Sequence, residues 1–130
     1  MTRRTSDIRI KRVYDMPGKA DGTGVLVDRL WPRGLSKERA AVTLWLKGIA
    51  PRKELREWFG HDPARWVEFG HRYRVELARN DAAVAQLVNV SKLGPMTLVY
   101  AAHDTEHNDA VVLAAYLSDH LEGGHGDHTA

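Results

Sequence analysis

A chain of 130 residues with 43% hydrophobic content suits one domain with a core of its own, large enough to fold without a disulfide or a metal. It has no cysteine, which excludes thiol catalysis, thiolate metal centres and disulfide stapling. The formal net charge of +2 is too small to imply nucleic acid, but it is unevenly spread: residues 1–40 hold ten Lys/Arg against five Asp/Glu, residues 41–130 nine against twelve. That basic excess marks either a solvated surface or a site for an acidic partner.

The opening MTRRTSDIRI lacks the apolar stretch of a signal peptide, and no apolar run is long enough to span a bilayer. The expectation is a cytoplasmic protein with no membrane role. Residues 1–7 are expected to be flexible, residues 8–121 to form a single α/β domain, and residues 122–130, rich in glycine and histidine, to form a flexible tail.

In chain order, Ile8 to Tyr14 alternates apolar and charged side chains, as a strand with one wet face does. Pro17, Gly18, Asp21 and Gly22 mark a loop. That loop is too short for a helical crossover, so the first strand is expected to run antiparallel at the sheet edge. Val25-Leu26-Val27 reads as a short buried strand. Trp31-Pro32-Arg33-Gly34 breaks it, and Ser36 is placed to cap a short helix through Ala40. Val42 to Ile49 is ambiguous. Lys53 to Phe59 reads as a short helix closed by Gly60. Asp62-Pro63 opens another, in which Trp66, Phe69, Tyr73 and Leu77 recur at helical spacing as a core stripe. Asp81 to Leu93 is a helix stopped by Gly94-Pro95, Met96 to Ala101 a buried strand, and Asn108 to Leu121 the last helix. Buried strands separated by helices predict an α/β fold: a small, mainly parallel sheet with helices packed on both faces.

Ligands of such sheets bind beyond the carboxyl ends of the strands. One end, Asp28-Arg29-Leu30-Trp31-Pro32-Arg33-Gly34, packs an acid, two guanidiniums and an indole into seven residues. Arg29 and Arg33 can grip a carboxylate or phosphate, Asp28 can act as a general base, and Trp31 can stack on a planar ligand. Equally, Asp28 and an arginine can form an ion pair that pins the loop while Trp31 packs inside. The second end offers the Tyr100 hydroxyl and the N–H groups of the helix start near Asn108, an anion seat unless Asn108 simply caps the helix. Arg56, in a second basic group with Lys47, Arg52 and Lys53, is placed to reach the same crevice or to lie on a solvated helix face. His103 and His107 stand four apart, but in a segment that reads as a loop, so no metal is expected there. There is no P-loop, no GxSxG and no GxGxxG, and nothing asks for a cofactor.

Lys11-Arg12-Val13-Tyr14 followed by Val27-Asp28-Arg29-Leu30-Trp31-Pro32-Arg33-Gly34 resembles the signature of the YeaO-like family of uncharacterised bacterial proteins. Trp45-Leu46-Lys47, Glu54-Leu55-Arg56-Glu57-Trp58-Phe59, His61-Asp62-Pro63 and Thr97-Leu98-Val99-Tyr100-Ala101-Ala102 continue the resemblance, which covers about Ile8 to Leu121. It implies a compact α/β domain and no particular activity. The chain departs from the family pattern at Arg52, where a serine tends to stand, and at His103, where a permanent cation does.

These residues predict a small enzyme or ligand-binding domain for an anionic small molecule, with Asp28 and Tyr100 as catalytic groups and Arg29, Trp31, Arg33, Arg56 and Asn108 holding the ligand. The alternatives are a nucleic-acid-binding or regulatory module using the basic N-terminal third, and a protein-interaction module.

Overall fold

The computed structural model describes residues 8–15, 18, 21–36 and 42–127, with residues 122–127 described by backbone alone. Its strands are β1 (Ile8–Arg12), β2 (Thr23–Leu26), β3 (Leu44–Trp45) and β4 (Met96–Tyr100). Its α-helices are α1 (Lys53–Phe59), α2 (Trp66–Ala78), α3 (Asp81–Leu93) and α4 (Asp109–Asp127). The helix expected beyond Ser36, the flexible segment expected over 1–7, and residues 128–130 of the flexible tail expected over 122–130 lie outside the described residues, whereas residues 122–127 of that tail continue α4.

The strands form one four-stranded sheet in the order β1-β4-β2-β3, and every pairing is parallel. β4 is central and buried along its whole length. It pairs Ile10 with Leu98 on one side and Val25 with the same Leu98 on the other. The expected α/β class and parallel sheet are therefore found, with one correction. β1 is an edge strand, but it runs parallel. The antiparallel expectation assumed that β1 and β2 are neighbours. β4 lies between them, and the connection makes its return along β4, from Val13 bonded to the Tyr100 carbonyl at one end to Thr23 bonded to the Pro95 carbonyl at the other.

Hydrogen bonds hold that loop against the sheet. Val13 N–H donates to the Tyr100 carbonyl at 2.7 Å, Thr97 Oγ1 to the Asp21 carbonyl at 2.7 Å, and Thr23 N–H to the Pro95 carbonyl at 3.0 Å. Asp21 is the hub, accepting from Lys11 Nζ and from Gly18 N–H, both at 2.7 Å. The Gly18 N–H and then Lys11 hold its carboxyl below the usual aspartate range.

Residue parity sorts the core. Val25, Val27, Met96, Leu98 and Tyr100 face the helices, where they meet Leu55 and Phe59 of α1, Phe69, Tyr73 and Leu77 of α2, Leu87 of α3 and Leu113 of α4. Each such side chain contributes about 1.5–3 kcal/mol by leaving water. The α2 stripe is core as its spacing predicts, with Phe69 stacked on Phe59 at 4.3 Å and the buried Tyr73 hydroxyl donating to the Ile49 carbonyl at 2.6 Å. On the other face Leu26, Val99 and Val13 are covered, among the described residues, by Trp31, Leu35, Val42 and Trp45. Among the described residues the helices thus lie on the first of these faces.

Helix ends follow local chemistry. Gly60 closes α1 in the left-handed conformation at φ 54°. Asp62 Oδ1 accepts from Ala64 N–H at 3.0 Å and caps the short 3-10 turn Pro63–Arg65 that leads into α2. Arg52 stands at the N-cap of α1 without a side-chain cap; its own N–H donates to Glu76 Oε1 at 2.9 Å. α4 continues past the Leu121 at which the periodicity ends it, and no proline follows to stop it. No helix is long and apolar enough to cross a membrane among the described residues.

Candidate functional site

A cavity of about 620 Å³ opens beyond the carboxyl ends of β2 and β4. Because these strands are parallel neighbours, the two segments singled out in the sequence face each other there, as the switch-point rule expects. Asp28 joins them: its Oδ2 accepts from Ala101 N–H at 2.8 Å, and its carbonyl accepts from Trp45 Nε1 at 2.8 Å. One residue therefore ties the exits of β2 and β4 to β3. Arg12 closes the β1 side, donating from Nε to the Ala102 carbonyl at 2.9 Å while lying 5.1 Å from the Tyr14 ring centre.

Of the residues predicted for the site, Asp28, Arg29, Trp31, Arg33, Arg56 and Asn108 line this cavity. Arg29 and Arg33 are exposed, and Tyr14 Oη donates to the Arg33 carbonyl at 3.1 Å. Arg56 is half-buried and donates from Nε to the Pro51 carbonyl at 3.2 Å, which aims its guanidinium from α1. Among the described residues no carboxylate lies within 4.0 Å ion-pair reach of Arg29, Arg33 or Arg56, so the Asp28–arginine ion pair considered from the sequence does not form. Trp31 serves both purposes weighed for it. Its Nε1 donates to the Leu35 carbonyl at 2.6 Å and it packs edge-on against Trp45, 5.5 Å between ring centres, while it also borders the cavity.

Tyr100 lies apart. It shares the face of Met96 and Leu98, is buried in the core and does not line the cavity. Burial raises its phenol above the ordinary value, and the hydroxyl meets the Asn108 side chain. Asn108 is itself buried and occupied: Oδ1 accepts from Val111 N–H at 3.1 Å, capping α4, and Nδ2 donates to the Asp104 carbonyl at 2.9 Å. Of the N–H groups expected to seat an anion at the start of α4, that of Val111 is engaged by this cap, and those of Ala110 and Asp109 act on the Asp109 carboxyl, favouring its charged form. Asp104 accepts from the N–H groups of Glu106 and His107 and, at 2.9 Å, meets His107 Nδ1. His103 borders the cavity without His107, and no group of three metal-ligating residues exists among the described residues.

Two cavity residues escaped the sequence reading. Asp109, the first residue of α4, places its carboxyl in hydrogen-bond contact with that of Asp28. Burial pushes Asp109 well above the usual aspartate range, and the Asp28 charge adds to this. Burial also raises Asp28, against the pull of its bonds to Asp109 and Ala101 N–H and the charge of Arg56. Both carboxyls are thereby shifted toward the protonated form relative to a free aspartate, and the two titrate as a pair. In sequence Asp109 reads as an ordinary acid in a helix first turn, and only the doublet with Asn108 hints at more. The second residue is His61, the one non-glycine residue with positive φ (58°) among those described. It stands 6.0 Å from Phe59, ring to ring, and its charge bears on Asp28. A left-handed conformation at a non-glycine residue costs energy and concentrates at ligand sites; nothing local in the sequence announces it.

A family model described as "Inactive DUF488-N3 subclade" matches residues 7–130. The chain is 42% identical over 115 residues to the uncharacterized protein Rv3073c of Mycobacterium tuberculosis (strain ATCC 25618 / H37Rv), a span of 88% of this chain and 97% of that one. A Mycobacterium bovis counterpart, Mb3100c, matches with the same 42% identity and the same coverage, 88% of this chain and 97% of its own. The uncharacterized protein YeaO of Escherichia coli (strain K12) is 41% identical over 111 residues, covering 85% of this chain and 96% of its own. No solved structure matches the chain. With a model match over nearly its whole length and a relative of 41% identity that is YeaO itself, the chain belongs to the DUF488-N3i family and is YeaO-like, as its signature residues indicate.

Proposed function

We propose that this chain binds a small anionic molecule, carrying a phosphate or carboxylate, in the cavity beyond β2 and β4, and that it binds rather than turns over. The observation that carries this reading is the gathering of Arg29, Arg33 and Arg56 around one cavity of about 620 Å³ without ion-pair partners among the described residues. Unpaired guanidiniums at a concave site are natural forks for an anion. The volume is that of a small-ligand pocket, and Trp31, Phe59 and Phe69 give it apolar walls. Asp28 orients the ligand, and Asn108 keeps the start of α4 in place behind it. Binding without turnover is favoured on two grounds. No serine, threonine or lysine lines the cavity among the described residues, and the family description carries the word inactive. Should turnover be detected, Asp28 is the group placed to move a proton.

The test is a titration of the purified chain with phosphate esters and small carboxylates, read by thermal shift and calorimetry. Arg33→Ala is expected to weaken binding by about tenfold or more, since a charge-assisted contact is lost, and to leave the fold unchanged by circular dichroism. Unchanged affinity in that variant would sink this reading. The nucleic-acid alternative is weakened by β1, where Arg9 and Lys11 both face Asp21 at 3.8 and 2.7 Å and so spend their charge internally. It predicts oligonucleotide binding that falls steeply with salt.

A further inference from the structure

The cavity has two electrical characters. Arg29 and Arg33 are exposed at its rim, whereas the Asp28–Asp109 pair is set inward, against the exits of β2 and β4. A simple anion satisfies only the first. Pushed toward the acids it meets like charge, and held at the rim it leaves most of the cavity unused. The acid pair is also wired in an unusual way. Asp28 already accepts from the Ala101 N–H, and the N–H groups of Ala110 and of Asp109 itself favour the charged Asp109 carboxyl. Backbone donors thus support the ionised form of both carboxyls, while burial favours the protonated form of each. The charged and titratable groups around the pair are Arg56 of α1, His61 just beyond it and Tyr73 of α2, with Tyr14, Arg29, Arg33, Glu57 and His103 at the cavity wall. Arg56 offsets part of the pair's charge without reaching ion-pair contact.

From this arrangement we infer that the ligand is a small zwitterion, its phosphate or carboxylate held by Arg29 and Arg33 and an ammonium or amidinium group seated on the Asp28–Asp109 pair. The inference rests on the anion-binding reading above and names what the other end of that ligand must be. The balance is simple. The cation arrives already protonated, a proton held by the pair goes to solvent, and the bound state holds two carboxylates against one ligand cation and the nearby Arg56. No covalent bond changes. Binding is therefore linked to proton release, and affinity rises with pH while the pair still holds its proton. The aromatic walls, with Phe59 and Phe69 stacked at 4.3 Å, suit an apolar spacer between the charged ends.

The test uses the full chain and two matched series of probes: aminoalkyl phosphates with spacers of about two to six carbons, and the same alkyl phosphates without the amine. Calorimetry in buffers of different ionisation heat, across neutral pH, gives both affinity and the number of protons released. At least one aminoalkyl phosphate is expected to bind about tenfold or more tightly than its amine-free partner and to release close to one proton. Asp109→Asn, whose folding is checked by circular dichroism, is expected to remove the proton release and most of the preference for the amine; Asp28→Asn should do the same. Arg33→Ala should weaken both series alike. Equal binding of the two series, unmoved by Asp109→Asn, overturns the zwitterion and leaves the anion reading standing. Failure of every phosphate to bind overturns both.

Discussion

Asp109 carries a prediction that needs no ligand. A carboxyl whose folded value is raised binds its proton more tightly in the native state than in the unfolded chain. The stability this represents is fully present below the unfolded aspartate value of about 3.9, and it is lost as pH rises through the raised folded value. Asp28 is shifted in the same direction, so the two act together. Asp109→Asn mimics the protonated acid and cannot ionise. Its melting temperature is expected to match the parent near pH 4 and to exceed it by a few degrees at pH 7 to 8. About 1 kcal/mol corresponds to roughly 4 °C in a domain of this size. Melting curves across that range check it; a variant less stable than the parent at neutral pH would show that the pair is not protonated. The same residues measure what the sequence can reveal at this scale. Asp28 was legible because an acid between two arginines at a strand end is conspicuous. Asp109 was not, because a helix first turn commonly holds an acid for its own sake. Tyr100 was misplaced for want of parity: strand residues alternate, and the register that sends Leu98 into the helices sends Tyr100 there too.

Among the connecting elements, two glycines with left-handed backbones separate conformational strain from collision. Gly34, at φ 72°, has nothing among the described residues within 4 Å of where a Cβ would stand. Gly22, at φ 66°, has the Pro95 carbonyl oxygen 2.1 Å from that point, and this oxygen also accepts from Thr23 N–H. Gly34→Ala is expected to cost about 1 kcal/mol, the price of the backbone conformation alone. Gly22→Ala should cost on the order of 3 kcal/mol, because the β1–β2 loop must lift off the start of β4. Urea denaturation of the two variants distinguishes them, and equal costs would mean that the loop is not anchored at Pro95. Element identity was readable wherever the signal is local: Gly60, Asp62-Pro63, Asp81 and Gly94-Pro95 each mark a helix boundary found in the fold. Strand direction was not readable, because β1 takes it from Met96–Tyr100, a partner that local patterns cannot specify.

At the level of the whole molecule, the central strand is the last one in the chain. β4 receives β1 on one side and β2 on the other, and Asp28 reaches its Ala101 N–H across the same boundary. Contacts this distant in sequence slow folding, because long loops must close before any pairing is rewarded. The arrangement also sets a timetable for synthesis. A ribosome that has made only the residues before Met96 has produced the short β2–β3 pair and a β1 with no neighbour, since β4, which joins β1 to β2, is still missing. Nascent chains stalled ahead of Met96 are expected to be cut by protease as freely as an unfolded polypeptide, and protection should arrive in one step once β4 and the start of α4 have cleared the exit tunnel. Gradual protection of shorter chains would contradict this. For this chain, birth and folding are separate events, and the cavity beyond β2 and β4 comes into being only at the second.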